Sequence, residues 1–248
     1  FSSIVGIYTN SNLDGSTSTE ISNNMISLGH TYPPTVAAMR ASIYGIWNNN
    51  TRNTNTGVSM YNANIYQNTV TIEGSNDNVV YNTSSFAYCR TDLSASGSYS
   101  IADYITVNLK NNIFNNIRTG GTGGHYAISN DRSMYYNYVS NTSIGWPANA
   151  SNYNNLYSYN PATLGRWGYS YQSLNFANWK TTASQDNNSI NSQPSFYDSP
   201  NGDLRIFNTG CLPSNYGTDL SSIVPEDYYG TTRPATPASR LRAGASTR

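Results

Sequence analysis

With 248 residues, 10% of them charged and 37% hydrophobic, the chain is polar yet weakly charged, against about a quarter charged in an ordinary globular domain. Its formal net charge is zero, which speaks against nucleic acid or an anionic membrane surface as partner. No apolar run reaches the 18 or more residues of a membrane span, and 22 Tyr and 4 Trp set the chain apart from disordered polypeptides.

The 36 Asn, with Ser, Thr, Gly and Tyr, suit short strands joined by tight turns, because Asn tolerates left-handed backbone and bonds locally. The same residues are weak helix formers. The chain opens at Phe1 with FSSIVGIYTN, carries no signal peptide, and reads as cut from a longer precursor. Alternating or β-branched runs bounded by Asn or Gly follow at 21–29, 41–50, 58–74, 78–90, 104–117, 133–141 and 151–160.

With Met25, Ile43, Ile65, Phe86, Ile113, Tyr136 and Leu156 as markers, the spacings run from 18 to 27 residues. Irregular periods in the low twenties predict an all-β solenoid, a right-handed parallel β-helix in which each coil stacks on the last. The pairs Asn23–Asn24 before Met25 and Asn111–Asn112 before Ile113 read as corners whose amides bond from coil to coil. A β-sandwich is the rival architecture, and the recurring NN-apolar phrase favours the solenoid. YPPTVAAMR (32–40) reads as one helical turn or an inserted loop.

One elongated domain is expected, with coils over 1–160 and closing coils or a cap over 161–237. SYQSLNFANWK predicts a short helical insertion near 170–180, capped by Ser170 or Ser173 and anchored by Leu174, Phe176 and Trp179. SPNGDLRIF reads as a turn and then a strand. Cys89 and Cys211 lie far apart, and buried thiols are expected unless the tail folds back to let them pair.

NNIFNNIRTGGTGGHYAIS, an NNLY strand, LGRWGYSYQSLNFANWK, SQDNNSINSQPSFYDSPNGDLRI and YYGTTRPATP follow one another over residues 104–237. This string resembles the closing part of the pectate-lyase-like right-handed β-helix repeat proteins of bacterial cell surfaces. The resemblance implies an exported protein at the cell surface or outside the cell, and a remaining, larger polypeptide around this segment. Residues 238–248 (ASRLRAGASTR) depart from the acidic closing strand of such proteins and are expected to form an atypical, disordered tail.

The resemblance also implies the chemistry to look for, since polysaccharide lyases on this fold use an Arg or Lys base and a Ca²⁺ ion. The ten Asp and three Glu are scattered, and Asp92, Asp103 and Asp131 are the acids that adjacent coils would gather for a metal. Arg118 and Arg132 are the candidate bases. A hydrolase would need carboxylates flanking a glycosidic bond, and the same scarcity of clustered acids counts against it.

His125 ends the glycine-rich segment TGGTGGH and is a catalytic candidate. That segment lacks the Lys-Ser/Thr of a P-loop and precedes a strand, so it reads as a turn between coils. Tyr44, Trp47, Tyr61, Tyr66, Tyr81 and Tyr88 recur along the coils and either pack core and edges or form a strip for sugar rings. The leading expectation is a non-catalytic surface module for adhesion or glycan contact, with no cofactor. The alternatives are a Ca²⁺-dependent lyase acting on an acidic glycan and a self-assembling filament subunit.

Overall fold

The computed structural model describes residues 2–10, 18–29, 41–50, 62–76, 83–92, 106–132, 146–168, 171–207 and 216–233. The strands are β1 (Ser2–Asn10), β2 (Thr19–Ser22), β3 (Met25–Leu28), β4 (Ala41–Asn50), β5 (Asn62–Tyr66) and β6 (Thr69–Ile72). Next come β7 (Ser75–Asn76), β8 (Ser85–Asp92), β9 (Thr106–Lys110), β10 (Ile113–Asn116), β11 (Thr119–Gly120) and β12 (His125–Arg132). The last are β13 (Ser151–Asn152), β14 (Asn155–Ser158), β15 (Gly165–Trp167) and β16 (Gln172–Leu174), then helix α1 (Phe176–Thr182), β17 (Phe196–Asp198) and β18 (Asp203–Ile206).

The chain is mostly strand, and the strands form parallel sheets. Sheet A has the order β1-β4-β8-β12-β15-β16, sheet B β13-β9-β5-β2, and sheet C β14-β10-β6-β3, while β7 pairs with β11. Among the described residues every ladder in these sheets is parallel except β15–β16. An antiparallel sandwich is therefore ruled out. The chain passes through B, C and A in that order and then returns to B.

The return distance corrects the expected spacing. In sheet C, Ile26 pairs with Val70, Val70 with Phe114 and Phe114 with Leu156, so each circuit takes 42 to 44 residues, about twice the low twenties. The sequence markers fall on different sheets (Met25 and Ile113 on C, Ile43 and Phe86 on A, Ile65 on B), so their spacing is that of hops between sheets, some over an intervening strand, and not of whole circuits.

Alternation sets what each strand buries. In β9 the pattern places Val107 and Leu109 inside and leaves Thr106, Asn108 and Lys110 half-buried. Ile21, Ile65 and Leu109 form one rank of sheet B, and Ile26, Val70, Phe114 and Leu156 the facing rank of sheet C. All belong to one core with Ile43, Ile46, Tyr88 and Ile128 of sheet A. Sheet A breaks the alternation, since Ala87 with Tyr88 and Ala127 with Ile128 are consecutive residues that both face that core. Gly45 holds the matching place on β4, where a Cβ would lie 2.3 Å from a Val70 methyl and 2.5 Å from the Ala87 carbonyl.

The Asn corners form as expected. Asn23, Gln67, Asn111 and Tyr153 turn from sheet B to sheet C with positive φ of 57–60°. The next residues, Asn24, Asn68, Asn112 and Asn154, make a ladder in which each Oδ1 accepts from the backbone N–H and the side-chain amide of the Asn before it in the series, at 2.9–3.1 Å. The ladder ends at the buried carboxylate of Asp186, which accepts from Asn154 Nδ2, Ser151 Oγ, Ser189 Oγ and Trp179 Nε1.

The helical insertion lies at 176–182, but its cap is Asn175, whose side chain accepts from the Asn178 N–H. Ser173 is held in β16 and Ser170 lies outside the described residues, so neither expected serine caps it. Trp179 and Leu174 reach the core and Phe176 packs against it. The turn Ser199–Asn201 and strand β18 match the reading of SPNGDLRIF. Ile206 of this hairpin covers Ile113 on the outside of sheet C.

Residues 216–233 run back along the corner line. The Tyr216 hydroxyl shares its one proton between the carbonyls of Asn154 and Asn188. Thr218 and Asn111 exchange two hydrogen bonds, Leu220 and Val224 pack on Tyr66, and Arg233 Nη2 donates to Asn23 Oδ1 at 2.5 Å. Residues 32–40, Tyr136, Cys211 and the tail 238–248 lie outside the described residues. Cys89 is fully buried.

Candidate functional site

The outer face of sheet A carries an aromatic group. On β4 the core side chains Ile43 and Ile46 are each followed by a ring of the outer cluster, Tyr44 and Trp47. Their register neighbours continue the row, since Tyr44 pairs with Phe86 and Phe86 with Tyr126. The rings stack at centroid distances of 5.2 and 5.4 Å, close to the strand spacing that parallel in-register strands impose. Trp47 stacks on Tyr44 at 4.5 Å and meets the edge of Tyr8 of β1 at 5.1 Å.

One end of this row is closed and the other open. The Arg166 guanidinium lies over Phe86 at 4.4 Å and within 4.9–5.3 Å of the Tyr171 and Tyr126 rings, and Phe86 and Tyr126 are buried. Such cation–π contacts are favourable and fix the guanidinium in place. At the open end Tyr8 is 48% exposed, and Tyr44 and Trp47 are half-buried. A polar chain borders these rings: Trp47 Nε1 donates to Thr91 Oγ1, Thr91 Oγ1 to Asn49 Oδ1, and Asn49 Nδ2 to Tyr8 Oη, at 2.8–3.0 Å. The exposed ring of Tyr8 beside the half-buried Trp47 and Thr91, with Asn49 buried beneath, suits the apolar face of a sugar.

The structure divides the predicted aromatic set. Tyr44 and Trp47 belong to this row. Tyr88 does not, because it is the second of the consecutive inward pair Ala87–Tyr88 on β8 and is fully buried, stacked on Phe114 and Trp146, with burial pushing its hydroxyl pKa well up. Tyr66 does not either, since it sits on sheet B under Leu220 and Val224, and burial followed by the charge of Glu20 raises its pKa. Tyr61 and Tyr81 lie outside the described residues. Tyr8, Phe86, Tyr126, Arg166 and Tyr171 were missed; the alternation of FSSIVGIYTN carried the signal for Tyr8.

The catalytic candidates His125 and Arg118 come together in a polar cluster, near enough for the Arg118 charge to act on the half-buried His125. The inward rank Ile4–Ile43 of sheet A continues as Ser85–His125, and Leu28–Ile72 of sheet C continues as Asn116–Ser158. Both ranks thus turn polar at the same level. His125 Nε2 donates to the Gly120 carbonyl at 2.8 Å, which leaves Nδ1 to accept the Ser85 hydroxyl at 2.9 Å. Asn116 Nδ2 donates to Ser85 Oγ and to the Tyr126 carbonyl, and Ser158 Oγ to the His125 carbonyl, all at 2.9 Å.

A serine hydroxyl on a histidine has the order of an activated nucleophile, and Ser85 itself is fully buried. Burial lowers the His125 pKa, a backbone bond to Gly120 opposes this, and the Arg118 charge lowers it further. The glycine-rich segment leads into strand β12, as expected, and Gly123 packs where a Cβ would lie 2.2 Å from the Thr83 carbonyl.

The metal candidates are partly placed. The register sets Asp92 across from Arg132 and Asp131 across from Thr91 on adjacent strands of sheet A, while Asp103 and the side chains of Asp92, Asp131 and Arg132 lie outside the described residues. Among the described residues no three His, Cys, Asp or Glu gather as a metal set, and no helix is long and apolar enough to cross a membrane. Comparison with protein-family models, with curated proteins and with solved structures found no match for this chain.

Proposed function

We propose that this chain is a right-handed parallel β-helix module, akin to the pectate-lyase-like surface proteins of bacteria, that works outside the cell by holding glycan chains without catalysis. The recurring order of sheets B, C and A, with each strand paired to its counterpart one circuit away, supports the β-helix. The observation that carries the function is the open aromatic end formed by Tyr8, Trp47 and Tyr44 with Asn49 and Thr91. A sugar ring laid on Trp47 or Tyr8 would bury its C–H face there and lie beside Tyr8 Oη and the half-buried Thr91.

The test is retention on a panel of immobilised neutral and acidic polysaccharides, with Tyr8→Ala and Trp47→Ala beside the parent chain. Loss of one ring is expected to weaken binding about three- to tenfold, roughly 1 kcal/mol. Tyr8 lies on an edge strand, so its variant separates loss of contact from loss of fold. Binding that both variants retain in full, or no retention on any polysaccharide, would overturn the reading.

A further inference from the structure

Among the described residues, every side chain of this polar cluster but one is satisfied. Ser85, Asn116, His125 and Ser158 are hydrogen-bonded within it. Arg118 is 2% exposed, its Nη1 is sealed from solvent with no hydrogen-bond partner, and no carboxylate among the described residues reaches it. Among the described residues only its backbone N–H is engaged, on Asn116 Oδ1.

An arginine cannot shed its charge as a buried lysine can. A buried cation without a counter-charge is strongly unfavourable, and removal from water already works against the charged form of Arg118. The planar fork of a guanidinium matches two oxygens of one oxyanion. The neighbouring His125, with both ring nitrogens engaged, supplies no competing negative charge.

We propose that Arg118 anchors an oxyanion site, taking a sulfate, phosphate or carboxylate group beside the Ser85–His125–Asn116 network. The group comes either as a free ion or as the anionic substituent of a larger glycan. This site is on the inside of the sheets and stands apart from the aromatic face, so each can fail without the other.

Thermal unfolding of the whole chain in sodium sulfate against sodium chloride at equal ionic strength tests the free ion. A sulfated oligosaccharide against its desulfated form tests the substituent. A saturable rise in Tm with sulfate, with affinity at least tenfold weaker in Arg118→Met, supports the free ion. The same dependence confined to the sulfated oligosaccharide supports the substituent. Equal responses of the parent and Arg118→Met, or none to either ligand, overturn the proposal. Should Arg118→Met fail to fold, the parent chain decides through the imidazole proton signals of His125, assigned with His30→Gln. A saturable shift with either anionic ligand and not with chloride supports the site, and identical behaviour in all of them overturns it.

Discussion

Asn112 Oδ1 accepts from both the backbone N–H and the side-chain amide of Asn68, each at 3.0 Å. The same Asn112 donates its own amide to the Ile65 carbonyl and to Asn154 Oδ1. One side chain therefore joins three successive circuits, and it is fully buried.

Asn112→Ala is expected to cost about 3 kcal/mol, because it strands the Asn68 N–H and the Ile65 carbonyl in the interior. Asn24→Ala, at the end of the ladder where Oδ1 receives nothing from a further Asn, should cost only about 1 kcal/mol. Denaturant melts of the two variants check the ratio. Equal losses would mean that the amides act singly and that their stacking adds nothing.

Gln67 holds φ at 58° in the corner that Asn23 and Asn111 occupy elsewhere, and its buried Oε1 has no hydrogen-bond partner. Asn adopts this left-handed conformation more readily than Gln. Gln67→Asn should therefore stabilise the chain by about 0.5–1 kcal/mol, a rise in Tm of roughly 1–4 °C at this size. Calorimetry checks it, and a lower Tm would show that the longer side chain contributes packing that outweighs the backbone preference.

Folding depresses the His125 pKa, so the unfolded chain binds more protons than the folded one in mildly acidic solution. The stability tied to neutral His125 is fully present above the ordinary histidine range, near pH 6.5. It is lost as pH falls through that range toward the folded pKa. His125→Gln should flatten the stability profile between pH 8 and 5 relative to the parent chain. Denaturant midpoints across that range decide it, and parallel profiles would remove His125 as the source.

Much of the architecture can be read from particular residues. The Asn23–Asn24 and Asn111–Asn112 pairs announce the corners, and Leu174 and Trp179 announce how the helix is anchored. The length of a circuit is not legible, because strands of all three sheets share the same alternation and nothing local says which sheet a run belongs to. Gln67 and Tyr153 conceal two corners, since neither residue type signals a left-handed turn.

The faces of sheet A are misread for a different reason. Two consecutive inward residues at Ala87–Tyr88 invert the period of two, so Tyr88 goes inside while Phe86 and Cys89 join the outer cluster. The polar cluster is invisible along the chain. Ser85 meets Asn116, 31 residues on, only because two different ranks turn polar at the same level.

The segment 216–233 changes how the molecule comes apart. Stacked circuits that touch only their neighbours would open one at a time from either end, as a zipper does. Here the fastening at Asn154 and the fastening at Asn23 belong to one continuous stretch of chain. The first circuit is thereby tethered to the last by a route that bypasses the circuits between them. Loosening either end tugs on the other, and what would be a row of independent links behaves as a closed hoop.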